Sequence, residues 1–174
     1  LREGDSLVVL LTLSTPSPSR LAQDSSAKSS FRTEDGTEIN GSSAEIPKDR
    51  TWWHATVMEN FGDILRDSLS TGHQGTFKGV YSFTSWEKCA AYGGQVVFGF
   101  RSQGMVAKLS GKCSVPQYIP EGLIGYLDSG NKRQWIHHPR NVQLTQARVE
   151  YDTLRTFFAE ACEKNPDEYR YDID

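Results

Sequence analysis

The distribution of apolar residues changes character at Thr51, and this change constrains the fold more than any other feature of the chain. Upstream, Ser14 to Asp49 is rich in serine, carries Pro16, Pro18, Gly36, Gly41 and Pro47, and shows neither a period of two nor a helical period. Downstream, short apolar runs of strand character are interleaved with a few stretches at helical spacing. Short strands mixed with few helices predict an α+β domain, not a doubly wound sheet.

Within the patterned region, Thr51 to Thr56 reads as a strand. Val57, Phe61, Ile64, Leu65 and Leu69 then form one helical stripe, which Gly72 and Gly75 end in a loop. Val80 to Phe83 is a second strand. Thr84-Ser85-Trp86-Glu87 satisfies the capping-box pattern, so a helix is expected over 85–92, stopped by Gly93-Gly94. Three further strands are expected at Gln95 to Arg101, Met105 to Leu109 and around Gln134 to Leu144. Leu154, Phe157, Phe158 and Ala161 share a face of a closing helix, with Asp152 as its cap and Asn165-Pro166 as its stop. Upstream of Thr51, Leu7 to Leu13 is a strand candidate, far short of the roughly 20 residues that span a bilayer. It follows Glu3 and Asp5 instead of a basic flank, unlike a signal peptide. The serine-rich stretch is expected as a loop or linker, with a hairpin signal at Glu34-Asp35-Gly36-Thr37. The chain begins at Leu1, not at a methionine, and is expected to be a piece of a longer polypeptide.

Charge narrows the function classes. The net charge is −3, with 6 basic and 8 acidic groups in residues 1–50 and 13 and 14 in residues 51–174. No broad basic field exists to release phosphate counterions, which argues against a general nucleic-acid binder. The three cysteines, Cys89, Cys113 and Cys162, are odd in number and widely spaced, poor material for a zinc site or a disulfide framework. Such usage suits a reducing compartment, so an intracellular, cytoplasmic location is expected. His137-His138 is not expected to share an ion, because neighbours on a strand point to opposite faces. Neither a metal nor a membrane is expected as a partner.

The chemistry-bearing residues occur in a fixed order. Trp53-His54-Ala55-Thr56 closes the first strand, Gly79-Val80-Tyr81 follows the glycine-bearing loop, and Tyr92 lies eleven residues after Tyr81 at the end of the capped helix. Gln134-Trp135-Ile136 then precedes Val142-Gln143-Leu144. This series, covering Thr51 to Arg148, resembles the diphtheria-toxin-like ADP-ribosyltransferases, especially the poly(ADP-ribose) polymerase branch with its His-Tyr-Glu triad. The resemblance implies a split antiparallel β-sheet with few helices and NAD as substrate. It also implies a division into an N-terminal strand with linker (1–50), a transferase-like domain (51–150) and an attached helix with acidic tail (151–174). Transfer breaks the nicotinamide–ribose bond through an oxocarbenium-like transition state, so the site must hold the leaving group and stabilise positive charge. By resemblance, His54, Tyr81 and Gln134 stand at the triad positions. His54 would donate to a ribose hydroxyl, backbone groups of Ala55 with Thr56 and Cys89 would hold the carboxamide side, and Tyr81 and Tyr92 would sandwich the ring. Taken singly, these tyrosines read as core aromatics before stacking platforms; as a pair bracketing a helix N-terminus they fit either role equally. Trp52, Trp53, Trp86 and Trp135 are assigned to the core, and His73 to a surface loop.

Three positions depart from the family. Ala55 replaces a glycine and costs room, Cys89 replaces a serine and is a weak donor, and Gln134 replaces the triad glutamate. Gln keeps the geometry of a hydrogen bond without its charge. Polymer synthesis is therefore not expected. Two readings remain: mono-ADP-ribosylation of a protein or nucleic-acid acceptor with slow NAD hydrolysis, or an inactive module that binds proteins or nucleotide fragments. The Glu-x-Glu loop of the arginine-specific toxins and the basic cluster of RNA 2′-phosphotransferases are both absent from the sequence.

Overall fold

The computed structural model of the chain describes residues 6–10, 30–33, 36–45, 49–70, 75–111, 117–129 and 132–164. In chain order the strands are β1 (Ser6–Leu10), β2 (Ser30–Arg32), β3 (Glu38–Glu45), β4 (Trp52–Thr56), β5 (Phe77–Lys78), β6 (Val80–Ser82), β7 (Val96–Ser102), β8 (Met105–Leu109), β9 (Gln117–Tyr118), β10 (Leu123–Ser129), β11 (Lys132–His137) and β12 (Val142–Glu150). The helices are α1 (Phe61–Asp67), α2 (Trp86–Ala90) and α3 (Tyr151–Lys164). The protein is α+β, mostly strand. No helix among the described residues is long and apolar enough to cross a membrane.

The strands form two main sheets. One has the order β1-β12-β7-β4 and is antiparallel throughout. The other has the order β2-β3-β8-β10-β11-β6 and is antiparallel except for β8 and β10, which pair in parallel. That parallel pair departs from the expected antiparallel sheet. The sheets meet where β4 passes the end of β6: Trp53 N–H donates to the Phe83 carbonyl at 3.0 Å, and Phe83 N–H returns a bond at 2.9 Å. Among the described residues this is the one isolated backbone bridge between them.

Alternation along each strand distributes the apolar residues among three clusters. Trp52, Val96, Phe98, Phe100, Leu144, Ala147 and Val149 of the first sheet pack with Val80, α1 and the inner side of α3. Ile39, Phe77, Ala107, Leu109, Ile119, Leu123 and Ile136 fill the second cluster, under the six-stranded sheet. On the opposite face of β4, Trp53 joins Phe83, Cys89 and Val97, with Trp86 of α2 against them. Trp52 is fully buried, Trp53 is buried, and Trp86 and Trp135 pack at the edges of these clusters, in line with their assignment to the core.

Several boundaries differ from expectation for local reasons. The 57–69 stripe is a 3₁₀ turn, Met58–Asn60, followed by α1, because Ser68 at φ 67° turns the chain out of the helix before the glycines are reached. Ser85 alone caps α2, its hydroxyl accepting from Lys88 N–H at 3.3 Å; Thr84 stands one residue too early. The single strand expected around 134–144 is two strands, β11 and β12, broken by a 3₁₀ turn at Pro139–Asn141. Part of the expected loop is a hairpin, β2–β3, that adds to the six-stranded sheet. Phe31 and Ile39 face each other across it, and Gly41 leaves room for the Phe31 ring. Two anchors are too few to produce a period of two. In α3, Leu154 and Phe157 turn inward while Phe158 is 45 % exposed, so the apolar face is narrower than four residues. Leu11 to Leu13, Gly72, His73, Cys113 and Asn165-Pro166 lie outside the described residues.

Candidate functional site

Where the sheets part, a cavity of about 340 Å³ opens, lined by His54, Ala55, Gly75, Tyr81, Phe83, Cys89, Tyr92 and Gln134. Its size falls at the lower end of the roughly 300–1,000 Å³ of small-molecule sites. Strand geometry explains the membership. Tyr81 is opposite Ile136 in the β6–β11 register, so Phe83 and Gln134, each two residues along, project from that same face. Trp53 spends its backbone groups on Phe83, and Ala55, two residues on, directs its own backbone to the same open side of β4.

One contact ties the halves together beside the bridge. His54 Nδ1 lies 2.7 Å from the Tyr81 carbonyl oxygen. A carbonyl can only accept, so Nδ1 carries the proton, and a neutral His54 ring presents Nε2 as an acceptor. In that neutral form the ring offers a ribose hydroxyl an acceptor, whereas the resemblance implied a donor.

Cys89 is 1 % exposed at the inner end of the cavity. Burial pushes its thiol up to about 12, although the Ala55 N–H donates to the sulfur. The group is therefore a neutral thiol, not a nucleophile. The amide expected to hold a carboxamide is thus engaged by Cys89. The Ala55 methyl lies over Gly94, where a Cβ would come within 2.6 Å of it, so a glycine absorbs the space that the methyl needs.

Tyr81 is half-buried, and desolvation raises its phenol above the ordinary range. Its hydroxyl accepts from Phe77 N–H at 2.9 Å, which pins the end of the preceding loop. Gly75 packs directly on this ring, and a Cβ there would stand 2.6 Å from Cε2. Gly75→Ala is therefore expected to displace the ring and lose the Phe77 bond, lowering stability by about 1 kcal/mol. Urea midpoints check this, and the substitution should add little cost once Tyr81 is alanine.

The structure gathers His54, Ala55, Tyr81, Cys89, Tyr92 and Gln134 around one cavity. Thr56 is not among its lining residues: its hydroxyl accepts from Asn60 Nδ2 at 2.9 Å, and its carbonyl accepts from Gln95 N–H at 3.0 Å. Tyr92 is 55 % exposed at the mouth, with its ring centroid 4.9 Å from that of Phe83. Phe83 and Gly75 are lining residues that sequence reasoning missed. Phe83 follows Tyr81 at a separation of two on one extended segment, a signal that could have found it. His137 and His138 serve different neighbours, the first bonding Ser82 and the second accepting from Arg140 N–H at 3.2 Å. No group of three or more His, Cys, Asp or Glu among the described residues could hold a metal ion. No family model matches the chain, and no curated protein matches it either.

Proposed function

We propose that this cleft binds NAD by its nicotinamide–ribose end, in an ADP-ribosyltransferase-like fold, and transfers single ADP-ribose units slowly to an acceptor or to water. The observation that carries the reading is the convergence of β4, β6, α2 with its following turn, and β11 on one cavity. They contribute six of the residues that the ordered motifs single out.

The lining residues suit the reaction in part. In transfer, the bond between ribose C1′ and the nicotinamide nitrogen breaks, its electron pair leaves with nicotinamide, and an acceptor oxygen bonds to C1′ and gives up its proton. Aromatic walls favour a planar leaving group, each stacking contact contributing about 0.5–1.5 kcal/mol. His54 Nε2 would receive a ribose hydroxyl. Gln134 can orient a second hydroxyl, but it brings no charge to the cationic transition state. Hydrogen bonds to charged groups are worth about 1.5–3 kcal/mol against about 0.5–1.5 for neutral ones. The difference corresponds to roughly tenfold in rate or more.

The same cavity favours a second reading, binding without transfer: among the described residues no charged side chain lines it. Nicotinamide release from NAD labelled in its pyridine ring separates the two. Gln134→Glu is expected to raise release by about tenfold. If neither wild type nor variant releases label, transfer is lost and NAD binding alone is left to be judged by titration.

A further inference from the structure

We infer that Phe83 sets the size of ring this cleft admits, a conclusion that rests on the NAD reading above. Three observations fix its place. Phe83 is 7 % exposed, whereas Tyr92, on the same cavity, is 55 % exposed. Phe83 therefore forms the inner wall and Tyr92 the rim. The Phe83 ring also contacts Tyr92, at 4.9 Å between centroids and an interplanar angle of 41°. Tyr92 thus braces this wall from outside.

The wall cannot withdraw. Phe83 is held to Trp53 by backbone bonds of 2.9 and 3.0 Å, so the strand is fixed at this residue. Trp53, Cys89 and Val97 are buried with the ring in one packed cluster, Cys89 also lining the cavity beside it. Tight packing leaves no empty space for the ring to swing into. A ligand ring entering between Tyr81 and the rim meets Phe83 at full depth. A fused second ring pointing inward would therefore have to displace Phe83, whereas a single ring need not reach it.

Two probes of matched chemistry test this: nicotinamide and its benzo-fused analogue quinoline-3-carboxamide, titrated by calorimetry against wild type, Phe83→Leu and Phe83→Ala. Wild type is expected to prefer nicotinamide by about tenfold or more, and Phe83→Leu to erase that preference by admitting the larger ring. Phe83→Leu keeps an apolar side chain in the cluster and guards against loss of folding in Phe83→Ala, with circular dichroism confirming the fold of each. Nicotinamide binding that appears only after Phe83 is shortened overturns the inference, because the wild-type cleft then admits no ring. A preference unchanged in folded Phe83→Leu overturns it while leaving the NAD reading intact. Failure of all three proteins to bind either probe overturns both.

Discussion

Acidification is expected to weaken this fold through His137, by about 1.4 kcal/mol for each pH unit below the ordinary histidine range. The ring is fully buried, with edge contacts to Trp52 at 4.8 Å and Phe100 at 5.0 Å between centroids. Ser82 Oγ lies 2.8 Å from Nε2 and 3.3 Å from the Trp135 carbonyl. A hydroxyl that donates to the carbonyl and accepts from Nε2–H satisfies all three groups, which leaves Nδ1 unprotonated. Among the described residues neither Nδ1 nor Trp52 Nε1 has a hydrogen-bond partner. A charged imidazolium would find no acceptor for Nδ1 among the described residues, and desolvation lowers its pKa to about 3.

The sign follows from proton counting. Between about pH 6.5 and 3 the unfolded chain binds a proton at His137 that the folded protein refuses, so stability is present above the unfolded value and lost as pH falls. From pH 6 to pH 4 this amounts to about 2–3 kcal/mol. His137→Gln keeps an N–H for Ser82 and removes the titration. Its urea midpoint at neutral pH will be lower, since ring packing is lost. Its decline between pH 6 and 4 will be shallower than that of wild type by about 1 M urea. Parallel declines would mean that His137 takes up its proton without unfolding the protein.

The site was legible in the sequence to the extent that strand alternation determines it. Once β4, β6 and β11 are recognised as strands, the register places Tyr81 and Gln134 on one face, and the Tyr81-to-Tyr92 spacing brings the end of α2 to the same cavity. What joins the two halves was not legible. The His54–Tyr81 bond links a side chain to a backbone group 27 positions away, and backbone groups leave no mark in residue identity. The engagement of Ala55 N–H by Cys89 was hidden for the same reason. The parallel β8–β10 pairing was missed because β10 itself was, its apolar run being interrupted by Gly125, which packs on Leu109. Hairpin β2–β3 escaped because its sequence is polar and serine-rich, indistinguishable by composition from a linker. His137 stands in the sequence as one of two neighbouring histidines on a strand, directed to opposite faces. Its burial is set by the β11–β6 pairing and the packing of Trp52, which no local pattern reports.

His54 is where fold and proposed function meet, and its substitution carries the largest expected effect on binding. His54→Ala removes both the bond to the Tyr81 carbonyl and the Nε2 acceptor, and is expected to cost about 1–3 kcal/mol of stability as well as NAD affinity. His54→Asn separates the two losses. Its amide N–H can reach the position of Nδ1 and keep the link across the cleft, but nothing replaces Nε2. Stability should then return toward wild type while NAD affinity remains at least about tenfold reduced.

NAD binding through His54 is read from the melting temperatures of wild type and His54→Asn with NAD raised into the millimolar range. A ligand at 100 times its dissociation constant adds about 2.7 kcal/mol, a rise of roughly 5–10 °C for a domain of this size. Such a rise is expected in wild type, with its near disappearance in His54→Asn. No rise in wild type, or an equal rise in both proteins, would contradict binding through His54.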